Sequence, residues 1–255
     1  HRVDRRQRQM CIRDSIITDT IVAPESQQKF YQEKILVLPS TYQVNDGSIN
    51  VNVKEDRKSW NLPIHGIILA SLNQSFKLEP VMFDAWIDIL QKHKNTYLWL
   101  LDEGEDMRKN LLSYLDKRID QKRIIFAERV DRGRHLARIK NIDVALDTRI
   151  YNGHTTSIEM LQSGIPLVTL EGKHFASRVS TSLLHALGIK ELIAEDIDSY
   201  KEIVSTLIND NNALSLLKRK IQQQLSESKL IDTSSFARSF ENAILGIIRQ
   251  DSGPY

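Results

Sequence analysis

The chain has 255 residues, 41% of them hydrophobic and 27% charged, with a formal net charge of +2 and a single cysteine, Cys11. That balance describes globular material long enough for one large core or two small ones, and one cysteine excludes an internal disulfide framework. No apolar run approaches the roughly 20 residues of a membrane span and no apolar core marks a signal peptide, so the expectation is a cytoplasmic chain with no membrane partner.

Residues 1–15, HRVDRRQRQMCIRDS, have little apolar periodicity. They hold five arginines and two aspartates, a net +3, so the remainder carries −1 of the chain's +2. The stretch resembles translated sequencing-adaptor read-through and is read as a non-native scar. Without it the basic excess disappears, and charge makes no case for nucleic acid.

Residues 16–62 read as a connecting segment. QQKFYQEKILVLPS suggests a short helix and then a strand at Ile35–Leu38 ended by Pro39, and NDGSINVNVKEDRKSWNLP is polar and turn-rich, a loop. From residue 63 to 255 a regular alternation follows. Short apolar runs suited to burial on both faces predict strands at Gly66–Leu72, Thr96–Leu101, Arg123–Ala127, Asp143–Leu146 and Pro166–Leu170, with a shorter one at Leu192–Ala194. Between them, Pro80 starts a helix with Met82, Phe83, Trp86, Ile87 and Leu90 on one face. Leu111, Leu112 and Leu115 mark a second helix, and Phe175–Leu187 another, stopped by Gly188. Helices at Ser199–Ile208, Asn212–Leu225 and Asp232–Ile248 close the chain, the last capped by Asp232 or Thr233. Strand and helix in repeated alternation predict an α/β fold, a Rossmann-like parallel sheet with helices on both faces.

Ligands of such sheets bind outside the carboxyl ends of the strands. Three helix-opening loops would share that rim: SLNQSFKLEP, DRGRHLAR and YNGHTTS. The last turns on Asn152-Gly153 and enters a helix with His154-Thr155-Thr156-Ser157. A helix's first turn has unpaired N–H groups and a positive dipole end. Hydroxyls there cap the helix or donate to a ligand, and a glycine lets backbone approach a bound group. A phosphate fits such a place. The histidines show no metal-ligand spacing, and the acidic pair Asp196 and Asp198 sits where a helix cap is expected.

The three loops, in this order, resemble the C-terminal catalytic lobe of the O-linked N-acetylglucosamine transferase family, which includes SPINDLY-type proteins and bacterial homologues fused to TPR repeats. The likeness runs from about Ile16 to Ile248 and is carried by LNQSFKLEPVMFDAWIDILQKHKNTYLWLL, RIIFAERVDRGRHLARIKNIDVALDT, YNGHTTSIEMLQSGIPLVTLEG and FASRVSTSLLHALGIKELI. It implies a GT-B glycosyltransferase of which this chain holds only the lobe that binds the sugar nucleotide. The TPR array and the N-terminal catalytic lobe, which supplies much of the acceptor surface, would be missing, and SIITDTIVAP looks like that lobe's tail.

The resemblance assigns roles residue by residue. Lys77 matches the catalytic lysine, whose ammonium counters charge on the leaving diphosphate. Gln74 matches a diphosphate contact, and His154, Thr155 and Thr156 the diphosphate-binding run. Glu159 stands where the family often has aspartate, positioned to accept from ribose hydroxyls. His135 and Arg138 match positions that bracket the nucleobase. Phe76 departs from a usual tyrosine and reads as a packed aromatic. Asp147 reads as a brace for the Asn152 loop, and Ser177 and Arg178 open the next helix near the phosphates. The implied reaction is inverting transfer of N-acetylglucosamine from UDP-GlcNAc to Ser or Thr of a protein or peptide acceptor, with no metal or other cofactor. GDP-fucose as donor is the alternative within the family, and a nucleotide-binding module without catalysis the alternative outside it.

Overall fold

The computed structural model describes residues 15–47 and 55–251. Its main element is a six-stranded, all-parallel sheet built from β3 (Ile67–Ser71), β4 (Thr96–Leu101), β5 (Ile124–Ala127), β6 (Val144–Leu146), β7 (Leu167–Leu170) and β8 (Ile193–Ala194). The spatial order is β5-β4-β3-β6-β7-β8. Counted from β3 as first, that is 3-2-1-4-5-6, the order of dinucleotide-binding sheets. The β3–β4 register runs from Ile67↔Thr96 to Ser71↔Leu100, and β3 meets β6 at Leu69↔Val144 and Ala70↔Ala145. The expected strands are all present. Sequences such as IILAS, VAL and LVTL suit positions covered on both faces, where only apolar or small side chains avoid an unpaired polar group.

The helices are α1 (Pro80–Lys92), α2 (Glu105–Leu115), α3 (Arg132–Ile139), α4 (Thr155–Gln162), α5 (Val179–Ala186), α6 (Ile197–Asn209), α7 (Asn211–Glu227) and α8 (Thr233–Asp251). They cover the sheet on both faces and bury one continuous core from Trp60 to Leu230. Helix α1 buries the five predicted residues and also Ala85 and Ile89. Helix α2 buries only Leu115, so its leucine stripe is a light contact. Asp196 caps α6 in a reciprocal pair with Ser199, as its position implied, and the Asp232 side chain accepts from the Ser235 N–H at the start of α8.

The structure corrects two parts of this reading. The helix expected over Phe175–Leu187 is a 3₁₀ turn at Phe175–Ser177 followed by α5, separated at Arg178. The turn's carbonyls are taken elsewhere: Ala176 accepts from the Asn152 N–H at 2.8 Å and Ser177 from the Gly172 N–H at 3.0 Å. Gly188, in the left-handed region at φ +69°, ends the helical segment as expected.

The second correction concerns residues 16–62. They carry the predicted β2 (Lys34–Leu38), but it pairs in parallel with an unpredicted strand, β1 (Ser15–Asp19). Ser15 therefore belongs to the folded chain. Residues 1–14, the rest of the presumed scar, and residues 48–54 of the polar loop lie outside the described residues. Among the described residues no helix is long and apolar enough to cross a membrane.

Candidate functional site

Strands β3 and β6 are neighbours, yet the chain leaves them toward opposite halves of the sheet. The crevice at their carboxyl ends is the topological switch point, where such sheets bind ligands. Two of the three rim loops arise there, and side chains tie them together. The Thr156 hydroxyl donates to Asn73 Oδ1 at 2.6 Å, and Asn73 Nδ2 lies 3.4 Å from the Thr148 hydroxyl. Lys77 Nζ donates to the Asn152 carbonyl at 2.8 Å and rests 4.1 Å from the centre of the Tyr151 ring.

The second loop is held by a buried carboxylate. Asp147 accepts from the Thr148 N–H at 2.9 Å, the Gly153 N–H at 2.8 Å and the Thr169 hydroxyl at 2.9 Å. Burial pushes its carboxyl above the ordinary range, and those donors pull it back. Its role as a brace is as expected. Asn152, fully buried, donates its amide to the Thr148 carbonyl at 2.7 Å and accepts from the Ser180 N–H at 3.3 Å. Gly153 is required by space. A Cβ there would lie 2.3 Å from Ser157 Oγ and 2.5 Å from Thr156 Oγ1.

This scaffold presents the start of α4. Helices α1, α3, α6 and α7 are each capped by a carboxylate, from Glu79, Asp131, Asp196 and Asp210. Helix α4 begins after His154 with no side-chain cap. Its first-turn N–H groups and dipole end thus face the crevice without an acid of their own. Thr155 beside them is exposed. Burial lowers the Lys77 pKa, and the charge of Asp147 opposes that shift. Burial, reinforced by Lys77, also lowers the His154 pKa and favours a neutral imidazole. A lysine and an uncapped helix start across one crevice are suited to an anion.

On the other side of α4, His135 Nε2 lies 3.3 Å from the Glu159 carboxylate, which is almost wholly buried, and Arg132 Nε lies 3.9 Å from it. Arg138 donates to His135 Nδ1 at 2.8 Å and to the Glu128 carbonyl. An arginine only donates, so Nδ1 accepts and the neutral ring carries its proton on Nε2, toward Glu159. Arg138 itself is 2% exposed, with its guanidinium 5.9 Å from the Trp60 ring and 5.8 Å from the Trp99 ring. Burial, followed by repulsion from Arg134, pushes its pKa down to about 10.

Lys77, His154, Thr155 and Thr156 thus gather at one crevice, with His135 and Glu159 joined by α4. Gln74 is exposed at the start of the 3₁₀ turn Ser75–Lys77. Two expectations change. Arg138 does not flank an open cleft; it is a buried support beneath His135. Phe76 is no packed aromatic: it is 67% exposed, and among the described residues its ring contact is an edge-to-face one with Tyr151, centroids 6.0 Å apart. Ser177 is buried and turned onto the His174 carbonyl, while Arg178 pairs with Glu171 at 2.8 Å. Sequence reasoning missed Asn73, Tyr151 and Tyr42. The Tyr42 hydroxyl lies 3.3 Å from His154 Nδ1. Asn73 and Tyr151 lie inside the quoted loops SLNQSFKLEP and YNGHTTS without having been singled out, and Tyr42 carries no local signal. Among the described residues no group of three or more His, Cys, Asp or Glu is placed to hold a metal ion.

Comparison with known proteins places these observations beside a family model, curated relatives and a solved structure. The model of glycosyl transferase family 41 matches residues 48–240. A UDP-N-acetylglucosamine–peptide N-acetylglucosaminyltransferase of Caenorhabditis elegans is 33% identical over 74% of this chain and 16% of its own length. A probable enzyme of the same description from Arabidopsis thaliana, SEC, is 31% identical over 90% of this chain and 24% of its own. Among solved structures, a mutant O-GlcNAc transferase of Thermobaculum terrenum superposes with a TM-score of 0.82 at 27% identity, covering 91% of this chain and 44% of that one. The fold is thus the C-terminal lobe of a GT-B glycosyltransferase. The chain spans 16% and 24% of the two curated relatives' length.

Proposed function

The chain belongs to glycosyl transferase family 41, and from that premise we propose that it is the donor-binding half of an inverting protein O-glycosyltransferase that moves N-acetylglucosamine from UDP-GlcNAc to a serine or threonine hydroxyl. The observation that carries this reading is the uncapped start of α4 facing Lys77 across the switch point.

In this reaction the acceptor oxygen forms a bond to the anomeric carbon as the bond from that carbon to the diphosphate breaks, and the acceptor hydroxyl gives up its proton to solvent. Charge grows on the departing β-phosphate. Lys77 and the first-turn N–H groups of α4 meet that charge without reorganising. Thr155 and Gln74 add neutral side-chain donors around the diphosphate, and Thr156, whose hydroxyl is given to Asn73, adds its backbone N–H. His135 takes the base from the position Arg138 gives it, and Glu159 stands at the ribose. The countercharge comes from Lys77 and the helix, so a chelator should leave UDP affinity unchanged.

The acceptor surface belongs, in this reading, to a second lobe of a longer protein with TPR repeats. Orientation of two reactants contributes on the order of 7–11 kcal/mol, so the lobe by itself should bind donor and turn over little. Titration calorimetry with UDP, GDP and UMP, paired with a peptide-transfer assay, tests this. UDP binding above UMP with negligible transfer is expected. A preference for GDP would move the donor to GDP-fucose, and efficient transfer by the chain alone would remove the half-enzyme reading.

A further inference from the structure

We propose that Tyr42 is a positioning residue for His154: its hydroxyl donates to Nδ1 of the imidazole and so fixes the tautomer that offers Nε2–H to a diphosphate oxygen. The inference rests on the nucleotide-binding reading above and adds to it a residue from outside the sheet domain's rim loops.

The two side chains are 112 positions apart in sequence and 3.3 Å apart in space. Tyr42 is anchored from several sides. Its N–H donates to Asp19 Oδ2 at 3.0 Å, and that fully buried carboxylate also accepts from the N–H groups of Ile21 and Val22, each at 2.8 Å, and from the Ser182 hydroxyl of α5 at 2.7 Å. The ring sits edge-on against Phe175, centroids 4.8 Å apart. The β1 end, α5 and the turn after β7 therefore share in aiming one hydroxyl at one ring nitrogen.

The direction of that bond follows from the surroundings. Burial, the Asp19 charge and Tyr151 all disfavour a phenolate at Tyr42, so the hydroxyl keeps its proton. Burial and the Lys77 ammonium disfavour imidazolium at His154. The groups facing the ring are Tyr42, Lys77 and Tyr151, the last 5.4 Å away. A neutral imidazole has one N–H. With Nδ1 accepting from Tyr42, that proton is on Nε2. His154 Nε2 is shut off from solvent and has no hydrogen-bond partner among the described residues. A buried donor without an acceptor is a cost that a phosphate oxygen would relieve. The opposite tautomer would turn a lone pair toward the same oxygen and repel it.

Nitrogen-15 NMR of the histidine side chains and UDP titration of the full chain test the assignment together. The wild type is expected to show His154 protonated at Nε2. Tyr42→Phe keeps the ring contact with Phe175 and removes only the hydroxyl. It should shift the His154 nitrogen resonances toward a tautomer mixture and lower UDP affinity about threefold to tenfold, the range of one neutral hydrogen bond. In a His154→Ala background the same change should cost nothing further. A wild-type ring protonated at Nδ1 overturns the proposal, as does equal UDP affinity of wild type and Tyr42→Phe. A wild type that binds no UDP at millimolar concentration overturns the nucleotide reading itself, a result distinct from either.

Discussion

The ammonium of Lys77 is held 2.8 Å from the backbone carbonyl of Asn152, across the gap between the loops that leave β3 and β6. An ammonium has three donors, and this bond leaves capacity for a ligand oxygen. Asn152 is itself immobilised by Thr148, Ala176 and Ser180. The charge is therefore in place before any ligand arrives, which is the condition under which a countercharge acts on a leaving group most strongly.

Gly153→Ala should weaken both the fold and the site. The added methyl would meet the Ser157 and Thr156 hydroxyls at 2.3 Å and 2.5 Å. Overpacking of this kind costs about 1–3 kcal/mol. The displaced hydroxyls stand at the mouth of α4, so UDP affinity should fall about tenfold, one step of about 1.4 kcal/mol. Thermal melting and calorimetry check the two halves separately; unchanged affinity would mean the glycine is not needed at the ligand.

Asp147→Asn should change how stability depends on pH. Burial raises the folded-state pKa of Asp147 above its unfolded value. The folded state then holds the proton more tightly, so the contribution of this group is greatest below the unfolded pKa and is lost as pH rises through the folded one. Relative to Asp147→Asn, the wild type should gain stability on acidification from neutral pH. Denaturant melts of both proteins across that window read the difference; a constant gap would contradict the raised pKa.

Arg138→Ala should act on stability first. It empties space between Trp60 and Trp99 and leaves the Glu128 carbonyl and His135 Nδ1 without their donor. The cost should be about 3 kcal/mol, or a fall in Tm of about 6–12 °C at this chain length. Arg138→Lys should recover only part, because a lysine lacks the planar fork. A melting point within a degree of wild type would place Arg138 at the surface after all.

The main sheet was legible because parallel strands covered on both faces advertise themselves as short apolar runs. The rim rule then puts Lys77 and Thr155 at one end without knowledge of any contact. Strand β1 was not legible: SIITD gains its burial from pairing with Lys34–Leu38, which no local pattern reports. Arg138 read as one of two residues bracketing the nucleobase because the residues that enclose it, Trp60 and Trp99, are far away in sequence. The Phe175–Leu187 helix looked continuous because its interruption is made by hydrogen bonds to Asn152 and Gly172 on other loops. Tyr42 reaches His154 only once β1, β2 and α5 are assembled.

The most direct test of the account is titration of UDP, and of UMP as a control, into wild type and Lys77→Ala. Among the described residues the Lys77 ammonium makes one hydrogen bond, to a backbone carbonyl, and one ring contact, so the variant should fold. It should lose about 1.5–3 kcal/mol of UDP affinity, the value of a hydrogen bond to a charged group, and far less toward UMP, which has no β-phosphate. Equal affinity of both proteins for UDP, or an equal loss for UDP and UMP, would contradict the assignment of Lys77 to the diphosphate.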